Sequence, residues 1–209
     1  MRLKINRSLL TQLRWDSAAI SPLASIVHKF NEPGRYKLLV MAGERLDRIG
    51  VIDLLIDENE AEEQLNINLE SVAKEKFSKA NQIVRHANPE KPVVFYTAGG
   101  TQKFAIVAYR IDKEKEVRVF DSRQLVEGDT FIVNPLVSGR YSFTGTHGGK
   151  GELVIHKKAG RLLPTQGKVV ECTAKGFIPN KLESDFLQPV FFLIKTKEPS
   201  RLMMQFEKG

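Results

Sequence analysis

The chain has 209 residues with 42% apolar and 27% charged content, ordinary values for a globular protein. It is long enough to bury a sizeable core without staples, and its single cysteine, Cys172, excludes an internal disulfide framework. The net charge of +7 is uneven: −2 over residues 1–70, +3 over 71–92 and +6 over 93–209.

Residues 3–10 alternate weakly and are expected to form a first strand. Residues 16–25, with Ser17, Ser21 and Pro22, read as loop. Strands are predicted near 35–41, 49–56 and 64–69. The acidic run Asp57-Glu58-Asn59-Glu60 between them reads as a solvated turn. From Leu69 to Ala87 apolar residues recur at three and four: Leu69, Ala73, Phe77, Ala80, Val84 and Ala87. That spacing predicts a helix, with Lys74, Lys76, Lys79 and Arg85 off the stripe or at its margin. The stripe is thin and half alanine, which suits packing on a sheet through Phe77 and Val84 better than lying on a membrane. Asn88-Pro89 ends it, because the residue before proline avoids the α region.

Beyond Val93 the chain reads as nearly all β. Val93–Ala98 and Lys103–Arg110 flank Gly99-Gly100, a hairpin signal. Short runs follow at 117–120, 130–134, 140–144, 152–156, 168–174, 189–195 and 201–206. Such spacing suggests a sandwich. The predicted fold is therefore mainly β: antiparallel Greek-key sandwiches, with one amphipathic helix between two halves. The expected division is a small β domain at 1–68, helix and linker at 69–92, and a β-sandwich domain at 93–209.

One repeat is written in the chain. Pro33-Gly34-Arg35-Tyr36-Lys37-Leu38 leads through a glycine-containing turn to Val51–Ile56, and Ser138-Gly139-Arg140-Tyr141-Ser142-Phe143 leads similarly to Glu152–Ile155. Each reads as a β-hairpin. A buried phenol needs a partner, so Tyr36 and Tyr141 are expected to make corner-type hydrogen bonds.

The stretch from Leu125 through Gly139-Arg140-Tyr141-Ser142-Phe143-Thr144-Gly145-Thr146-His147 to Gly151-Glu152-Leu153-Val154-Ile155 resembles the closing half of a cupredoxin (blue-copper) domain. Gly176–Leu182 with Gln188–Ile194 is similar to the opening half of that fold, in reversed order. The resemblance implies a cupredoxin-like sandwich of about 70 residues in two pieces. The copper site is not intact. A blue site needs a cysteine thiolate and two imidazoles, yet Gly145 stands at the thiolate position and no histidine follows Gly176. The remaining candidates for a metal are His147, His156, Met203 and Met204, and no cofactor is expected.

Other chemistry is sparse. Cys172 alternates with Val170 and Ala174 on an apolar side and is expected to be a buried hydrophobe. His147 lies in a glycine-rich loop whose spacing departs from a phosphate-binding loop. His28 stands alone before the first hairpin, and His86 is expected near the helix C-terminus. No metalloprotease, paired-cysteine, nucleophile-elbow or dinucleotide motif occurs. The expected function is a non-catalytic structural or interaction module inside an oligomer or larger assembly of protein subunits. Two alternatives stay open: a metal-binding or redox protein, and a basic nucleic-acid or polyanion binder. Met1–Asn6 shows no secretory pattern and no apolar run spans a membrane, so a cytoplasmic location is expected.

Overall fold

The computed structural model describes residues 7–74, 83–113, 115–157 and 166–207. A short 3-10 turn, Arg7–Thr11, comes first. Then follow β1 (Arg14–Asp16), β2 (Ala24–His28), β3 (Gly34–Ala42), β4 (Asp47–Ile56), β5 (Leu65–Asn68), the helix α1 (Leu69–Lys74), β6 (Ile83–Ala87), β7 (Val93–Tyr96) and β8 (Phe104–Asp112). The rest of the chain gives β9 (Lys115–Asp121), β10 (Thr130–Val133), β11 (Gly139–Gly145), β12 (Lys150–His156), β13 (Lys168–Thr173), β14 (Gly176–Ile178), β15 (Lys181–Asp185), β16 (Val190–Ile194) and β17 (Leu202–Phe206). The protein is mainly β, as its alternating patterns predict.

The strands form three sheets. A central sheet runs β14-β13-β16-β10-β2-β7-β5. One outer sheet runs β9-β8-β3-β4-β6, and the other β1-β17-β11-β12-β15. The outer sheets match strand for strand: β8 with β17, β3 with β11, β4 with β12, β6 with β15. The central sheet continues the match about its β2–β10 pair, with β7 answering β16 and β5 answering β13. The equivalent pairs even share direction, since β4–β6 and β12–β15 are parallel, as are β5–β7 and β13–β16. The Gly-Arg-Tyr repeat is thus the most visible part of a pseudo-two-fold duplication. Each repeat lends its first strand to the other: β1 pairs with β17 and β9 with β8. Strand pairing also runs across residues 69–92, because β7 joins β2 and β5, and β8 joins β3.

Register explains the core. Ile67, Phe95, Ile26, Phe131, Phe192 and Val170 form one row across six strands of the central sheet. All six are buried. Phe120 of one outer sheet stacks on Phe95 at 5.8 Å, and Phe143 of the other meets Phe192 at 5.3 Å. Both outer sheets therefore cover the same face of the central sheet.

Several local expectations are corrected. The described helix spans Leu69–Lys74, and the expected helix to Ala87 is overturned by a strand at Ile83–Ala87. Val84 and Ala87 lie on β6, where β-branched Ile83 and Val84 pair with the open edge of β4 and bury Ala87 beside Ile56. His86 is therefore a strand residue, exposed beside Leu55. The expected packing of Phe77 lies outside the described residues. Gly99-Gly100 closes no hairpin, because β7 enters the central sheet while β8 enters an outer one. Within 3–10, residues from Arg7 onward belong to the 3-10 turn rather than a strand, and residues 3–6 lie outside the described residues. Finally, β14 and β15 are short strands that the alternation did not single out.

Candidate interaction surface and inter-repeat cleft

A second repeated motif appears once the strands are placed. Trp15-Asp16-Ser17 with Ile20, and Phe120-Asp121-Ser122 with Leu125, stand 105 residues apart, the same offset as Tyr36 and Tyr141. Both turns make the same bonds. The Ala18 and Arg123 amides donate to Asp16 Oδ1 and Asp121 Oδ1, each at 3.0 Å. Ser17 Oγ accepts from the Leu202 amide and Ser122 Oγ from the Ile106 amide, each at 2.9 Å. Each turn thus clamps the last strand of the other repeat, β17 or β8.

The two turns wall a cleft of about 870 Å³ where the repeats meet. Lys103, Arg118, Arg123 and Arg201 face it, as do Asp16, Glu44 and Asp121. Arg201 donates to both oxygens of Asp16. Arg123 does the same to Asp121, at 2.8 and 2.6 Å, and Arg118 lies 3.7 Å from that carboxylate. Burial opposes ionisation of Asp16 and Asp121, but hydrogen bonds from their arginines and backbone amides outweigh it and hold both carboxyls below the usual range. Three of the four cations facing the cleft are thus matched to carboxylates. Its volume suits a small ligand, while its charge is nearly balanced.

The open face of the central sheet has a different character. Two rows cross it: Asn68, Tyr96, Ser25, Ile132, Phe191, Val169, and Asn66, Val94, Val27, Thr130, Leu193, Glu171, Ile178. Every one of these residues is at least partly exposed. Val169 is 47% and Ile178 60% exposed. The only charged member is Glu171, near one edge. Neither outer sheet covers this face.

The sites singled out in the sequence are scattered. His147, in the β11–β12 turn, has Nδ1 3.2 Å from Glu198, while its buried Nε2 has no hydrogen-bond partner. It lines a void of about 10 Å³ together with Cys172, room for about one water. His156 lies at the far end of β12 beside Glu183, at 3.3 Å. Met203 points outward opposite Asp16, and Met204 is buried opposite Trp15. The structure does not gather these four residues. Among the described residues no group of three or more His, Cys, Asp or Glu is placed to hold a metal, and no helix is long and apolar enough to cross a membrane. Cys172 is buried as its alternation with Val170 implies, and burial pushes its thiol up to about 12; Ala174 lies in an exposed turn instead.

The tyrosine corners are present in both repeats. Tyr36 OH donates to the Glu32 carbonyl and Tyr141 OH to the Val137 carbonyl, each at 2.7 Å. Gly34 and Gly139, two residues before, share φ +141°, a region that favours glycine.

One part-buried pair had no sequence signal. His28 Nδ1 lies 2.6 Å from Asp129 Oδ1, and Asp129 Oδ2 accepts from the Val126 amide at 2.8 Å. The imidazole stacks on Phe120 at 4.1 Å and meets the edge of Phe30 at 4.6 Å. This pair ties the end of β2 to the start of β10 and to β9, and it is built as a structural clamp. The two residues are 101 apart, so no local spacing could reveal them. In comparisons with known proteins, no family model, no curated protein and no solved structure matches this chain.

Proposed function

We propose that this chain is a non-catalytic interaction module that works as a component of a protein assembly. The observation that carries the reading is the open face of the central sheet. Tyr96, Val94, Val27, Ile132, Phe191, Leu193, Val169 and Ile178 spread across it with a single charge. A contiguous apolar face of this extent on a soluble protein marks an interaction surface. The layering of both outer sheets on one side supports a sandwich architecture. The sheets are mixed rather than antiparallel throughout; the Greek-key form, and the likeness to cupredoxins, remain part of the same proposal.

Val169 and Ile178 are exposed, so replacing them costs the isolated chain little. The test is the native mass of the protein at its own abundance, compared with that of a Val169→Lys/Ile178→Lys variant. The expected result is a particle larger than one chain that loses partner mass in the variant. A native particle with the mass of a single chain would overturn the reading.

A further inference from the structure

The strand β9 is the outermost strand of its sheet, and no described strand bonds to its far edge. Its equivalent, β1, spans three residues, whereas β9 spans seven. Lys115 through Val119 are exposed one after another, so this segment stands in solvent on both faces. Val117 is 54% and Val119 41% exposed. An edge with free N–H and C=O groups is a template for another strand. The adjoining hairpin partner, β8, holds the segment in extended form.

The residues along this edge are self-complementary. The segment reads Lys115-Glu116-Val117-Arg118-Val119. Opposite charges flank Val117 one step to either side. If two copies pair antiparallel with Val117 opposite Val117, each Glu116 faces the other copy's Arg118. Directly opposed residues are close enough for such pairs to stabilise a ladder, and like charges there destabilise it. A slip of the register in one direction sets Glu116 against itself, and in the other Arg118 against itself. The charges therefore select one alignment. Glu116 meets Lys37 and Arg118 approaches Asp121 within the chain, yet the two side chains keep 44% and 57% of their exposure.

We propose that the occupant of this edge is a second copy of the same chain, added antiparallel about Val117 to make a ten-stranded sheet across a two-fold axis. This names a partner for the interaction module proposed above and rests on that reading. The mode is strand addition, in which main-chain bonds give affinity and alternate side chains give register.

Sedimentation velocity of the purified full chain tests it, using Glu116→Arg, Arg118→Glu and Val117→Pro variants. The wild type is expected to dimerise. Each charge variant alone should lose roughly tenfold in association, because two attractive cross-strand pairs become repulsive. An equimolar mixture of the two charge variants should recover wild-type association, since every opposed pair is then of opposite sign. Val117→Pro should be monomeric, with its melting curve checking that the chain still folds. A wild type that stays monomeric, or a mixture no stronger than its components, would overturn the proposal. If the purified chain is monomeric while the native particle is large, this inference fails and the module reading stands. If the native protein is also a single chain, both fail.

Discussion

Replacing Tyr141 by Phe isolates one hydrogen bond from everything else the side chain does. The ring is fully buried, 6.0 Å from Trp15 and 5.2 Å from Phe206, and phenylalanine keeps those contacts. Only the bond to the Val137 carbonyl goes. Losing one such part-buried bond costs about 1 kcal/mol. For a chain of this size each kcal/mol lowers the melting temperature by about 2–4 °C. Tyr36→Phe should cost a similar amount, because its bond to Glu32 has the same length. The two phenols share no partner, so the double variant should show the sum. A second readout is alkaline stability. Burial pushes the Tyr141 phenol from 10 up to about 12, so the folded state favours the neutral form. The stability this contributes is complete below pH 10 and is lost as pH rises through about 12. Tyr141→Phe should flatten that alkaline limb. Denaturant melts at neutral and high pH provide both measurements. A loss at neutral pH within about 0.5 kcal/mol, the range of inconsequential surface changes, would refute the corner as a stabilising bond.

The remaining expectations are narrower. Cys172, 4% exposed with its thiol near 12, should resist a thiol reagent at neutral pH in the native state and react fully in denaturant; rapid native labelling would contradict its burial. Gly151→Ala places a Cβ 1.9 Å from the ring of Phe143, which Phe177 and Phe192 hold at 4.9 and 5.3 Å; overpacking there should cost about 1–3 kcal/mol in a chemical melt, and an unchanged midpoint would show that the ring can move. Asp16 contributes stability above its ordinary value of 3.8 that is lost as pH falls below it, so Asp16→Asn should be less stable at neutral pH and show a shallower acid limb than the wild type, measured by the same melts.

What the sequence made legible was periodic and local. Alternation along 140–144, 152–156 and 189–195 placed real strands, because each buries one face against the core. The Gly-Arg-Tyr repeat was visible because glycine at φ +141° and a buried phenol both restrict residue type. The Asp-Ser turns are equally repeated, yet their meaning rests on amides of Ala18, Arg123, Ile106 and Leu202, which carry no residue signature. Leu69–Ala87 misled because Val84 and Ala87 fit a helical stripe while β6 needs only an open neighbour edge. Propensity yields to such tertiary pairing. Parallel pairs, the strand exchange between repeats and the His28–Asp129 clamp depend on long-range closure, on which local patterns are silent.

The duplication supplies an internal control for what the frame itself requires. Inward positions correspond in kind: Leu38 with Phe143, Leu54 with Leu153, Ala108 with Met204, all buried. Some outward positions correspond too, Arg35 with Arg140, Asp53 with Glu152 and Leu55 with Val154, but others do not. Leu39, Val51 and Tyr109 of one outer sheet stand where the other has Thr144, Lys150 and Gln205. The second sheet forms with polar residues there, so the frame does not demand apolar ones. Nor does it demand a long edge, since β1 closes the equivalent sheet with three residues. The two departures coincide on the same sheet, the one that ends in β9. A side chain that folding does not need, on a surface that water would rather not meet, is best explained by a neighbour. The second-copy proposal predicts that the neighbour sits on this sheet and not on its twin. Polar substitution at Leu39 and Tyr109 should therefore weaken self-association while leaving the fold intact, and Thr144→Leu on the twin should change neither.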